Sequence, residues 1–477
     1  MAKKVNQITP KSEDITKWYT EVCVKAELMS YAQTKGFIIY RPDGYALWEE
    51  IQHYLDARFK PLGVRNVYLP SLIPESLLEK EKEFVEGFAP ECLEVTRGGG
   101  KELSEHLYVR PTSECLFSDH FKDILHSYND LPIKLNQWCS VCRWEKTTRP
   151  FLRGSEFLWQ EGHTLHASRD EAREFALAIL RVYSDLGRDL LAIPFLAGKK
   201  PDSEKFAGAQ DTYTIEALMP DGQALQCGTT HYLGTDFMKA FDVKYLSKEN
   251  KLEYPEYTSW GVSTRLLGAL IMVHGDDEGL VLPPKIAPTQ VVIIPIRAHD
   301  DPAVSECCRK IEKELSDEGI RVYLDNSDKT PGWKFSQYEM KGVPLRIELG
   351  PKDIQNGVCS VSIRFSGEKK FIPLDNVASY IAEELELIHK GMYDKAYEFL
   401  NSHIYECKTY EEVENVLSNG LGFAKIMSDG SSEEERIMKE RFSATPRVMP
   451  FDQTPFGDTD PVTGRKADCV ICFARAY

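Results

Sequence analysis

Apolar residues recur along the chain in two rhythms, and the change between them divides it. Ile15, Tyr19 and Val22 fall at four- and three-residue intervals, which predicts a helix beginning near Asp14. A second helix is predicted over 46–59, entered through Pro42-Asp43-Gly44, and it leads to a strand over 63–70 that ends at Pro70. Strand-like stretches follow at 107–109, 133–145, 157–163, 209–215 and 224–227, with one helix over 169–186 among them. Strands that recur without regular strand-and-helix alternation predict a mixed, largely antiparallel sheet of the α+β class. Three prolines between Pro283 and Pro288 mark a hinge or connector. Beyond it the alternation becomes regular: strand 291–296, helix 303–319, strand 321–324, helix 333–341 and strand 345–349 make an α/β unit. A long helical pattern through Val377, Tyr380, Ile381, Leu385, Ile388 and Met392 opens a final segment, in which 431–435 is an acidic run.

Composition narrows the class. At 477 residues, 42% hydrophobic and 28% charged, the chain can bury several ordinary cores, which excludes disordered, collagen-like and disulfide-scaffold classes. No apolar run of about 18 residues supports a membrane span, and the Met1-Ala-Lys-Lys start lacks a signal peptide's apolar core, so the expected location is the cytoplasm. The twelve cysteines are scattered, with Cys307 and Cys308 adjacent, and are expected to be reduced thiols. A net charge of −16 argues against wholesale coating of nucleic acid and confines any such contact to a local basic face.

The densest chemistry lies in Arg143-Trp-Glu145, Arg149, Arg153 and the run Phe157-Leu-Trp159-Gln160-Glu161-Gly162-His163. Two strands joined by an arginine-bearing loop would set cations, a carboxylate and an aromatic ring on one wall of a cleft. That suits a nucleotide, because guanidinium forks match phosphate oxygens and a ring stacks on a base. The alternative is a solvated hairpin whose arginines pair with Glu145, Glu156 and Glu161.

These residues do not stand alone. The run 63–70 resembles motif 1 of the class II aminoacyl-tRNA synthetases, the stretch from Arg143 to His163 resembles motif 2, and Gly261-Val-Ser263-Thr-Arg265-Leu-Leu-Gly resembles motif 3. Between them, Arg110-Pro-Thr112-Ser-Glu114 and Gln226-Cys-Gly-Thr229-Thr-His231-Tyr-Leu-Gly are similar to the amino-acid and ATP loops of prolyl-tRNA synthetases of the archaeal and eukaryotic type. The resemblance runs from about residue 15 to Tyr477. It implies a catalytic pair, Arg143 and Arg265, and ATP contacts from Arg143, Glu145, Arg153, Phe157, Gln226, Thr229, Ser263 and Arg265. Magnesium would be held weakly through Gln226 and Glu145, since Mg²⁺ keeps waters and leans on phosphate oxygens. Proline, a small secondary ammonium with an apolar ring, would sit among Thr112, Glu114, Arg143, Trp159, Glu161, His163 and His231. His163 and His231 have a plain alternative as satisfied structural histidines. The stretch 332–353 resembles an anticodon-binding domain, with Phe335, Glu339, Arg346, Lys352 and Asp353 placed to stack on or hydrogen-bond loop bases.

The resemblance implies a class II antiparallel catalytic fold over 16–283 after an arm at 1–15, an α/β anticodon domain over 284–380 and a small α/β domain over 381–477. It implies a homodimer, with proline, ATP and tRNA(Pro) as partners and no membrane. Relatives often carry a four-cysteine zinc site in the last domain, yet 427–435 and 460–464 hold no cysteine here. Cys139 with Cys142 and Cys469 with Cys472 fall in strand-like runs, where residues three apart point to opposite faces. No structural zinc is therefore expected. Only 97 residues separate His163 from Gly261, which leaves no room for the bacterial editing insertion. Two rivals remain at this stage: an amino-acid-adenylating enzyme that does not use tRNA, and a non-catalytic RNA-binding module.

Overall fold

The computed structural model describes residues 8–80 and 92–477. The first seven residues of the expected arm lie outside the described residues. At the centre is an eleven-stranded sheet in the order Ile404–Cys407, Phe423–Ser428, Cys469–Arg475, Ala444–Pro450, Leu196–Lys199, Asp211–Leu218, Ala224–Gly234, Glu256–Ser263, Glu156–His166, Ile133–Cys142, Arg65–Asn66. Its middle strands pair antiparallel, as expected. Behind them lies the helix Arg169–Leu186. Ser168 caps its first turn, and Ala172, Phe175, Ala176, Ile179, Leu180, Tyr183 and Leu186 form the buried stripe. Tyr183 stays satisfied there by donating to Gln160 Oε1 at 2.7 Å. Burying such a stripe contributes about 1.5–3 kcal/mol for each large apolar side chain, which anchors the sheet.

One glycine makes the packing possible. Gly162 faces Trp260 on the adjacent strand, and a Cβ built on it would lie 2.1 Å from the indole. Trp260 is itself locked against Phe59, with ring centroids 4.9 Å apart. Gly162→Ala therefore overpacks a core that cannot yield, and should cost about 1–3 kcal/mol or more. Urea unfolding checks this, and an unchanged midpoint would show that the indole can move aside.

The expected strand over 63–70 shrinks to Arg65–Asn66. Side chains replace the ladder after it: Leu69 N donates to Gln137 Oε1 at 3.0 Å, and Leu69 O accepts from Arg110 Nη1 at 2.7 Å. The proline-rich connector is pinned rather than free. Arg321 donates to the carbonyls of Ala287 (2.8 Å), Lys285 (2.8 Å) and Pro284 (3.1 Å).

A separate five-stranded mixed sheet follows, ordered Val322–Leu324, Val291–Pro295, Leu345–Leu349, Val358–Ile363, Lys369–Pro373. The helices Pro302–Asp317 and Val377–Ser402 cover it through Val304, Ile311, Ile381 and Leu385. The second of these helices carries the chain without a break across the boundary expected after residue 380. The last segment does not form a detached unit either. Its strands join the edge of the central sheet through Met449 opposite Lys199 and Pro450 opposite Gly198. No helix among the described residues is long and apolar enough to cross a membrane.

Candidate active site

Strand periodicity builds one wall. Residues two apart share a face of the sheet, so Phe157, Trp159, Glu161 and His163 project together from Glu156–His166, beside Ser259, Gly261 and Ser263 of the next strand. On the strand after that, Thr229 and His231 continue the wall. Gln226 has the wrong parity to join them, but a β-bulge at Cys227 shifts the register, so that Gln226 opposes Glu216 while Gly228 opposes Ile215. The result is a cavity of about 220 Å³ lined by these side chains and by Thr112, Glu114, Arg143 and Arg265.

Two buried carboxyl groups at one end are held in different ways. Glu161 accepts from Ser113 Oγ (2.5 Å), Ser113 N (3.1 Å) and Gln137 Nε2 (2.6 Å), and His163 Nε2 stands 3.1 Å away. Burial alone would raise its pKa, but the hydrogen bonds from His163, Ser113 and Gln137 outweigh it and hold Glu161 below the ordinary value. Glu114 opens the helix Glu114–Ile124 and accepts from Thr112 Oγ1 at 2.5 Å. Burial and the Glu161 charge hold it above the ordinary value, against the pull of His163. Glu114 is thus the carboxylate that gains most from an incoming cation.

Both histidines are buried in the wall. His231 lies between Thr212 Oγ1 (2.9 Å) and Thr229 Oγ1 (3.0 Å), stacks on Phe206 at 4.5 Å, and is driven by burial down to about 3. Its bond to Thr229 also occupies the hydroxyl expected to meet ATP. His163 has no solvent-exposed surface and is wedged between the Phe117 ring, 3.9 Å away, and Tyr257 Oη at 2.6 Å.

Cations hold the other end. Arg143 Nε donates to Pro111 O at 3.0 Å, and its guanidinium lies 5.4 Å from the Phe157 ring and 5.5 Å from Trp159. Arg265 is fixed by the carbonyls of Leu152 (3.1 Å) and Gln226 (3.3 Å), and its amide is held by Ser263 Oγ at 3.2 Å. Burial lowers the Arg265 pKa, with Arg143 and Arg153 adding to the effect. Two of the expected ATP residues lie off this wall. Glu145 and Arg153 sit on the loop between the strands and pair with each other at 3.7 Å, as opposite charges on one loop do, and Arg153 lines a neighbouring cleft with Tyr40 and Phe157.

In the five-stranded domain, the Arg346 guanidinium lies 4.3 Å from the Phe335 ring and its Nε donates to Glu348 Oε1 at 3.0 Å. Glu339 stands on the same helix as Phe335, Pro331–Met340. Lys352 is exposed, while Asp353 Oδ2 accepts from Gly350 N at 2.8 Å and so caps the helix Pro351–Gln355. The structure joins Phe335 with Arg346 and gives Asp353 a local structural task.

Family models match the chain in three places. A tRNA synthetase class II core domain (G, H, P, S and T) matches residues 94–274, an anticodon binding domain residues 290–384, and a prolyl-tRNA synthetase C-terminal domain residues 410–477. A proline–tRNA ligase of Clostridium botulinum is 52% identical over 475 residues, covering 100% of this chain and 99% of the relative. Those of Lachnoclostridium phytofermentans and Ruminiclostridium cellulolyticum are 53% and 51% identical over the same span and coverage. The chain belongs to the proline–tRNA ligase family.

Several residues of this family member's cavity escaped the sequence reading. Phe206 and Lys205 reach it from a loop with no periodic signal, Glu204 from the short 3-10 turn Asp202–Glu204 before that loop, and Thr212 from the strand opposite His231. Phe117 and Tyr257, which clamp His163, look in sequence like ordinary core aromatics. The cysteine pairs remain apart in role: Cys139 accepts from Trp159 Nε1 at 3.2 Å, whereas Cys472 is buried in the last segment.

Proposed function

We propose that this chain joins L-proline to ATP, releasing pyrophosphate and forming prolyl-adenylate, and then passes the prolyl group to the terminal adenosine of tRNA(Pro), releasing AMP. The observation that carries the reading is one wall on which a buried, cation-seeking carboxylate, Glu114, lies at one end and Arg143 and Arg265 at the other. The proline ammonium goes to Glu114, with Thr112 orienting the acceptor. Trp159 and His231 close the apolar sides, and Glu161 with His163 sets the limit of the pocket. The proline carboxylate is already a nucleophile, so attack on the α-phosphorus needs positioning and charge neutralisation rather than a general base. Arg143 spans the carboxylate and α-phosphate, Phe157 stacks on adenine, and Arg265, with Ser263 beside it, meets the terminal phosphates. Magnesium, when bound with ATP, supplies further neutralisation of phosphate oxygens. The donors fit a sparsely held ion, with Gln226 on the wall and Glu145 paired nearby on the loop.

The 97 residues between His163 and Gly261 are filled by the helix and strands of the core, which supports the architecture without an editing insertion that is associated with archaeal and eukaryotic enzymes. Since the similar relatives named above are bacterial, that label describes architecture rather than host. Pocket contacts then discriminate alone, and a missing methylene is worth only about 1–3 kcal/mol, so some alanine activation is expected. A homodimer in the cytoplasm completes the proposal. The two-residue strand Arg65–Asn66 ends the sheet, and the neighbouring Tyr68 side chain is strongly exposed.

Proline-dependent ATP–pyrophosphate exchange followed by charging of tRNA(Pro) tests the reading. Exchange without charging would leave an adenylating enzyme of another pathway, and no exchange a binding module. Glu339→Ala separates the two activities. Loss of a charged hydrogen bond to a loop base is worth about 1.5–3 kcal/mol, so charging should fall roughly ten- to hundredfold with exchange nearly intact. An equal fall in exchange would remove Glu339 from the tRNA surface.

A further inference from the structure

The two cysteine-free stretches, 427–435 and 460–464, meet in space. Asp429 follows the strand Phe423–Ser428, Glu434 lies in the first turn of the helix Ser432–Phe442, and Asp460 comes from the loop before Cys469–Arg475. One carboxylate oxygen from each lies within 4.8 Å of the others. Glu434 and Asp460 are 0% exposed.

The hydrogen bonds around the cluster orient the carboxylates without satisfying them all. Asp460 Oδ1 accepts from Val462 N (2.7 Å), and Thr463 Oγ1 stands 2.8 Å from both Asp460 Oδ2 and Asp429 Oδ2. Asp429 Oδ1 accepts from Ser431 N at 2.8 Å. Glu434 Oε2 accepts from Ser428 Oγ at 2.5 Å, but Oε1 is buried with no hydrogen-bond partner among the described residues. The nearby cation, Arg465, is mostly exposed, 3.4 Å from Asp429, and shared with Glu433. A buried carboxylate oxygen left without a partner is costly, and native proteins rarely tolerate one without a reason. The helix amide that could have answered it, Glu434 N, is turned to Ser431 Oγ at 3.2 Å.

We propose that Asp429, Glu434 and Asp460 form a binding site for a hard divalent cation of the Mg²⁺, Mn²⁺ or Ca²⁺ class. An all-oxygen donor set with neither thiolate nor imidazole selects such ions, and Ser428, Ser431 and Thr463 hold the ligands in place as an outer shell. The ion would tie the helix Ser432–Phe442 to the long loop between the last two strands. The site stands apart from the cavity and does not depend on the function proposed above.

The test uses the full chain, washed with chelator and free of ATP, with Mn²⁺ as the probe. Electron paramagnetic resonance should count one bound Mn²⁺ per chain, and Mn²⁺ should raise the unfolding temperature. Glu434→Gln and Asp460→Asn should each weaken binding by about tenfold or more and abolish that rise. Near-UV circular dichroism and retained pyrophosphate exchange report folding, and Asp429→Asn carries the comparison if a buried substitution unfolds the chain. No bound Mn²⁺ at about 1 mM, or binding unchanged in the variants, would overturn the proposal. So would uptake of zinc in place of manganese.

Discussion

Arg143→Ala should lower proline-dependent pyrophosphate exchange by about 100- to 1,000-fold, corresponding to roughly 3–4 kcal/mol of barrier. The guanidinium is fixed at Nε by Pro111 O (3.0 Å) and stands over Phe157 and Trp159, so it costs little to orient when charge develops on the phosphate. In the proposed role its contribution is made in the transition state, so kcat should fall together with kcat/KM. Lysine should restore only a part, because a point charge cannot bridge two oxygens as a planar fork does. Stability should change little, since the side chain is partly exposed. An effect confined to the KM for proline would place Arg143 in ground-state binding and sink the assignment.

What the sequence showed of this site, and what it hid, has a physical division. Alternation along 157–163 was visible because a strand's period of two puts Phe157, Trp159, Glu161 and His163 on one face whatever surrounds them. The position of Gln226 was not, because it depends on a bulge at Cys227 that no local pattern marks. Phe206 was hidden because a loop carries no period, and the pairing of Glu145 with Arg153 was hidden because charge identity does not say which neighbour a side chain meets. The regular alternation after Pro288 was legible, down to the strand Leu345–Leu349. The joining of the last segment to the catalytic sheet was not. Edge pairing between Met449 and Lys199 is a meeting of strands some 250 residues apart, and it is stabilised by charges that read in sequence as surface.

Those charges carry the largest expected effect on stability. Glu216 is fully buried and receives Lys200 Nζ at 2.9 Å, Arg447 Nη2 at 3.0 Å and Thr214 Oγ1 at 3.1 Å. Burial works against its ionisation, but the two cations outweigh it and hold the carboxyl below the ordinary value. Arg447 comes from the strand Ala444–Pro450, so it links the last segment to the catalytic sheet. Arg447→Ala should cost about 3–5 kcal/mol, because removing one partner leaves a buried charge under-compensated. On a Glu216→Gln background the same substitution should cost much less, which distinguishes lost compensation from lost packing. The pH dependence has a definite sign. A depressed carboxyl pKa stabilises the fold above the unfolded value of about 4.3 and ceases to do so as pH falls through the folded value. The gap between wild type and Arg447→Ala should thus be full at neutral pH and close in acid. A gap that stayed constant down to the acid limit would mean that Arg447 acts through its aliphatic stem. The edge pairing of the two sheet halves would then owe little to the Glu216 charge.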